Sequence, residues 1–238
     1  MTRSTDRAAA GLELILAPDL DPAVAEICVH ERHAMGHALS RWGRFLRPVT
    51  VRTTEDRSAL RHAAKATSAV LLCGLADLDS VTLLAPHRWL SAPAHHDLRD
   101  VLVHELAHVL LFQRCTPADR STYAVLPMWM REGQASFAAE GPPSPNLRRT
   151  VAGYTNLAAL VAANATALAA HGAACYTVAT LVFAGWLECF GDRRLAALCG
   201  QMRRGLSFNQ AHQRACGVDV ASFEASWVAS VIAESKTR

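Results

Sequence analysis

Lysine is almost absent from this chain: Lys65 and Lys236 are the only two, so arginine carries the positive charge and the formal net charge is only +3. We read the arginine bias as codon usage of the source genome, and a charge this small argues against a nucleic-acid partner. Charged residues make up 19% and hydrophobic residues 51% of the sequence, a balance that excludes a disordered chain and allows a sizeable core. No run of about 18 apolar residues exists to span a bilayer, so no membrane partner is expected. The opening Met1-Thr2-Arg3-Ser4-Thr5-Asp6-Arg7 leads into no apolar segment with a cleavage site, and a cytoplasmic location is the default expectation. Seven cysteines, an odd number without C-x-x-C spacing, read as small core residues in a reducing compartment. No internal repeat is present.

What the chain does carry is His104-Glu105-Leu106-Ala107-His108, an H-E-x-x-H pattern between Val101-Leu102-Val103 and Val109-Leu110-Leu111-Phe112. At about 100° per residue, a helix brings the two histidines roughly 40° apart on one face with Glu105 beside them. Two imidazoles so placed can hold zinc, and a neighbouring carboxylate off the metal can act as general base. The bland alternative is a core helix with two hydrogen-bonded histidines.

Zinc that activates a water needs a third protein ligand. The metzincin continuation demands Gly at position 111 and His at position 114, where this chain has Leu111 and Arg114. Downstream lies Pro127-Met128-Trp129-Met130-Arg131-Glu132-Gly133-Gln134-Ala135-Ser136-Phe137, in which a proline precedes a helical stretch with a carboxylate in its first turns. Residues 109–131 leave room for a loop and a second helix facing the first, so Glu132 can complete a His-His-Glu site for one zinc ion per chain. Gly133 beside it would let those two helices approach closely.

The pairing of H-E-L-A-H with W-M-R-E-G-Q-A-S-F resembles the gluzincin metallopeptidases, and most of all the small bacterial peptidase MA-like domains. Their matching stretch is W-L-x-E-G-x-A, with that glutamate as third zinc ligand. The likeness continues through Tyr176-Thr177-Val178-Ala179-Thr180, Trp186-Leu187, Phe190-Gly191, Phe223-Glu224 and Trp227, over roughly residues 48–232. It implies a zincin-like fold and a zinc-dependent peptidase acting on a peptide or protein, with His104, His108 and Glu132 on the metal and Glu105 as general base. It also implies Tyr176 as a donor to the oxyanion, with Tyr154 and His171 as weaker substitutes. Substrate is expected to pair with an open strand edge just before the zinc helix, a position occupied by Ser80–Ala85. No G-x-M-E-N stretch precedes the motif, which favours an endopeptidase over an aminopeptidase. The alternative is a zinc-bound but inactive peptide-binding module, against which the presence of Glu105 counts.

We expect one α+β catalytic domain over residues 1–238: an N-terminal helical segment (1–47), a lobe with a small mixed β-sheet and the zinc helix (48–140), and a mainly helical lobe (147–238). Pro22 to Leu46 is compatible with a helix, its His30, His33 and His37 forming a half-exposed face. Val49–Thr54, Ser68–Leu75 and Ser80–Ala85 read as strands, Glu55–Ala66 as a helix, and Asp97 as the cap of the zinc helix. Gly191-Asp192, Gly205 to Ser207 and Gly217 to Asp219 each mark one helix ending and another starting. The stretch Ser207–Trp227 superficially resembles a helix-turn-helix, but Gly217 falls too far beyond Ala211 for that turn.

Overall fold

The computed structural model describes residues 11–63, 73–89, 98–116, 126–162 and 172–236. It is α+β, and its contacts divide it into two compact units, the first ending at Arg114 and the second running from Cys115.

The first unit holds the sheet. Strands β1 (Leu14–Leu16), β2 (Val49–Thr54), β3 (Gly74–Ala76) and β4 (Ser80–Leu84) lie in the order β1-β2-β4-β3. The β1–β2 and β2–β4 pairings are parallel and β3 runs antiparallel to β4. Alternation explains β2, where Val49 and Val51 are buried while Arg52 is exposed. A tight turn through Asp77–Asp79 joins β3 to β4, the Asp77 amide donating to the Ser80 carbonyl.

Three expectations need correction. The N-terminal segment is not wholly helical, because Leu14–Leu16 pairs with β2; it is too short to alternate, and its central Ile15 is 50% exposed. Pro22 to Leu46 is not one helix but α1 (Pro22–His30) and α2 (Arg32–Ser40), with Glu31 capping the end of one and the start of the other. His30, His33 and His37 are exposed there, as a solvated face requires. Finally, Ser80–Ala85 is not an open edge. Strand β4 is hydrogen-bonded on both sides, and among the described residues the edge strands are β1 and, next to β4, β3.

Helix α3 (Arg57–Ala63) accounts for the described part of the helix expected from Glu55, with the Asp56 carboxylate accepting from the Ser58 and Ala59 amides at 2.8 and 3.0 Å. Most of the strand expected over Ser68–Leu75 and the capping Asp97 lie outside the described residues. Helix α4 (Leu98–Cys115) carries the H-E-x-x-H motif and is buried almost all round, as its apolar flanks dictate. Gln113 near its end anchors it within the unit, its Oε1 accepting from the amides of Leu46 (2.7 Å) and Arg47 (3.1 Å).

The second unit is helical: α5 (Met128–Glu140), α6 (Pro145–Ala152), α7 (Leu157–Val161), α8 (Ala173–Phe190), α9 (Asp192–Arg203), α10 (Phe208–Cys216) and α11 (Val220–Lys236). Three of its breaks fall where Gly191, Gly205 and Gly217 were expected to place them. Gly141, Gly191 and Gly217 each end a helix at positive φ, and Ser207 with Gln210 forms a capping box for α10. Trp186, Phe190, Phe208 and Phe223 surround His212, which is fully buried, and Trp129 packs on Phe208 and Phe223. That histidine accepts from Trp186 Nε1 at Nε2 (3.0 Å), and its Nδ1 lies 2.8 Å from the Val218 carbonyl, to which it donates. Helix α8 is, by length and composition, apolar enough to cross a membrane, which interruptions such as Thr180 and Gly185 obscured in the sequence; its middle, Val178–Trp186, is buried in the protein.

Candidate metal centre

The two motif histidines do what their spacing dictates. On α4, His104 and His108 turn the same way, with Nε2 atoms 3.1 Å apart and ring centroids 4.8 Å apart. Two nitrogens bound to one zinc at about 2.0–2.1 Å in tetrahedral geometry stand about 3.3 Å apart, so the spacing suits a shared ion. His108 is only 3% exposed and stacks on Phe112 one helical turn on, which fixes its ring plane.

Glu105 follows His104 and is 8% exposed. Its side chain lies against β3: a Cβ built on Gly74 would stand 2.7 Å from Glu105 Cγ and Oε1. Beside Gly74, burial pushes the Cys73 thiol up to about 11, with Arg57 opposing the shift and the Glu105 carboxylate adding to it. Cys73 is therefore a neutral thiol at ordinary pH and no thiolate ligand.

In the second unit, α5 begins after Pro127 and presents Glu132 in its second turn, also 8% exposed. The expectation for Gly133 needs a correction. Its missing side chain makes room for α8, since a Cβ there would overlap the Ala179 carbonyl oxygen and stand 2.8 Å from Phe183 Cβ. Trp129, a turn before Glu132, donates from Nε1 to Glu224 Oε1 of α11 at 2.7 Å. Burial raises the pKa of Glu224 and the bond from Trp129 opposes that rise. This anchor spans 95 positions and has no local sequence signal; only the likeness of Phe223-Glu224 to the family pattern hinted at it.

Among the described residues one group of His, Cys, Asp or Glu side chains could hold a metal ion: His104, His108 and Glu132, one ligand atom from each, all within 4.8 Å of one another. Two imidazoles and a carboxylate are the donor set that suits zinc with a position left for water. Glu140, at the end of α5, is exposed and is not in this group. Tyr176 sits in the first turn of α8, half-buried, its carbonyl accepting from Thr180 Oγ1 at 3.0 Å. Tyr154 is half-buried just after α6, and His171 lies outside the described residues. None of the seven cysteines joins the group; Cys189, exposed, departs from the core role expected of it.

A family model described as the peptidase MA superfamily matches residues 92–233, from just before α4 to near the end of α11. No curated protein matches the chain.

Proposed function

This chain belongs to the peptidase MA superfamily, and from that premise we propose that it is a zinc-dependent peptidase of the gluzincin type, with His104, His108 and Glu132 as metal ligands. The observation that carries the reading is the convergence of those three donors, with a buried carboxylate, Glu105, adjacent in sequence to the first of them.

When bound, zinc would lower the pKa of a water toward neutrality and polarise the carbonyl of the scissile amide. The chain's own residues supply the rest. Glu105, kept off the metal by its place in the motif, accepts the proton that the water releases and returns it to the departing amine, which leaves the carboxylate ready for another cycle. The Tyr176 hydroxyl donates a hydrogen bond to the oxyanion. Edge strand β3 pairs with an extended substrate, supplying backbone hydrogen bonds that do not depend on the substrate's sequence. Internal peptide bonds are the favoured targets, since no G-x-M-E-N stretch for a substrate's free amino end precedes α4 in the sequence.

The test is metal analysis of the purified chain together with cleavage of a broad peptide library. Stoichiometric zinc, with cleavage that a chelator abolishes and zinc restores, is the expected result. Zinc without cleavage would instead identify a metal-bound binding module, and a chain that takes up no zinc would end the reading.

A further inference from the structure

We propose that Gly74, the first residue of edge strand β3, is a positioning residue for Glu105: the space left by its missing side chain is the seat in which that carboxylate rests. The inference rests on the peptidase reading above and adds to it a second residue that acts on the reaction through the first.

The argument begins from what does not require a glycine at this position. Gly74 pairs with Leu83 in a regular antiparallel ladder, and its φ is not in the left-handed region, so the backbone accepts any residue. A glycine inside a strand weakens it, by losing more entropy on folding and by having no side chain to pack. What demands it is the neighbour. A Cβ on Gly74 would stand 2.7 Å from Glu105 Cγ, 2.7 Å from Oε1 and 2.9 Å from Cδ. Carbon atoms in good contact are about 3.5–4.0 Å apart, so all three positions are too close for a methyl group.

The atoms in the way belong to the outer part of one side chain. An alanine at position 74 can therefore be accommodated if Glu105 swings aside, with little cost to the fold. Yet Glu105 is buried on the helix that carries His104 and His108, and its place beside them is what makes it a base. A shift of about 1 Å in a reacting group can cost on the order of 100-fold in rate. The two glycines differ instructively here: the carbonyl that fills the space at Gly133 is backbone and cannot yield, whereas the carboxylate at Gly74 can.

The test uses the full-length, zinc-loaded chain and a peptide that the wild type cleaves, comparing Gly74→Ala, Glu105→Gln and the double variant. Gly74→Ala should melt at or above the wild-type temperature and hold full zinc with unchanged KM, while kcat falls on the order of 100-fold. In the Glu105→Gln background the same alanine should change kcat no further, because the group it displaces has already lost its function. A merely structural glycine would slow both backgrounds by the same factor, and that result overturns the proposal. So does a Gly74→Ala enzyme with wild-type kcat while Glu105→Gln is inactive, an outcome that leaves the peptidase reading standing. A Glu105→Gln enzyme as fast as the parent removes the peptidase mechanism and this proposal with it. Should Gly74→Ala alone fail to fold, Gly74→Ala/Glu105→Ala must recover the melting temperature of Glu105→Ala, since the collision is then gone; failure to recover it also overturns the proposal.

Discussion

One chemical change, glycine to alanine, should have opposite effects at two helical sites of the second unit. At Gly133 in α5, the added methyl would overlap the Ala179 carbonyl oxygen of α8 and stand 2.7 Å from its carbonyl carbon and 2.8 Å from Phe183 Cβ. These contacts are roughly 0.7 Å or more inside normal carbon–carbon spacing, and neither a carbonyl in a helix nor a Cβ can rotate away. The two helices must part. Overpacking of this kind costs about 3 kcal/mol, against which the better helix propensity of alanine returns about 1 kcal/mol, so the net loss is about 2 kcal/mol. For a chain of this size that lowers Tm by about 4–8 °C. Gly200 in α9 has nothing within 4 Å of a built Cβ, so Gly200→Ala should gain about 1 kcal/mol and raise Tm by about 2–4 °C. Calorimetry on both variants reads the difference directly. If Gly133→Ala is as stabilising as Gly200→Ala, the close approach of α5 to α8 is wrong.

Three further outcomes follow from the site and its supports. Glu132→Ala should lose most of the bound zinc while Glu140→Ala, at an exposed helix end, keeps it; plasma emission analysis of dialysed protein distinguishes the two. Trp129→Phe leaves the half-buried Glu224 carboxyl without its donor and should cost about 1 kcal/mol by urea unfolding, and equal stability to wild type would show that this anchor is idle. Burial lowers the pKa of His212, with the Val218 bond and Asp219 opposing. The unfolded chain therefore binds a proton that the native state refuses, so stability should fall as pH drops from about 6.5 toward the depressed native value. In His212→Asn that part of the pH dependence of Tm should disappear, and an unchanged slope would rule out His212 as its source.

The legible parts of the fold were those with local signals. H-E-x-x-H needs only the helical period to align His104 with His108, and the breaks at Gly191, Gly205 and Gly217 follow from glycine's tolerance of positive φ at helix ends. Strands β2 and β4 showed themselves by β-branched and apolar content. Sheet order did not, because pairing partners are distant in sequence: nothing in Ser80–Leu84 says that β3 will cover its edge. Leu14–Leu16 becomes a strand only because β2 offers it a parallel partner. Glu31 divides α1 from α2 without glycine or proline, so that boundary had no marker. Gly133 signalled a close approach correctly, but a glycine cannot say which helix will use the space.

The central claim is that Glu105 performs the proton transfer on a site held by His104, His108 and Glu132, and it is tested most directly by the hydrolysis rate of Glu105→Gln at matched zinc content. Glutamine keeps the size of the side chain and removes the proton acceptor, so zinc stoichiometry and Tm should stay at wild-type values while peptide hydrolysis falls by about 10²–10⁴-fold. A zinc-replete Glu105→Gln protein that cleaves as fast as the parent would contradict the account.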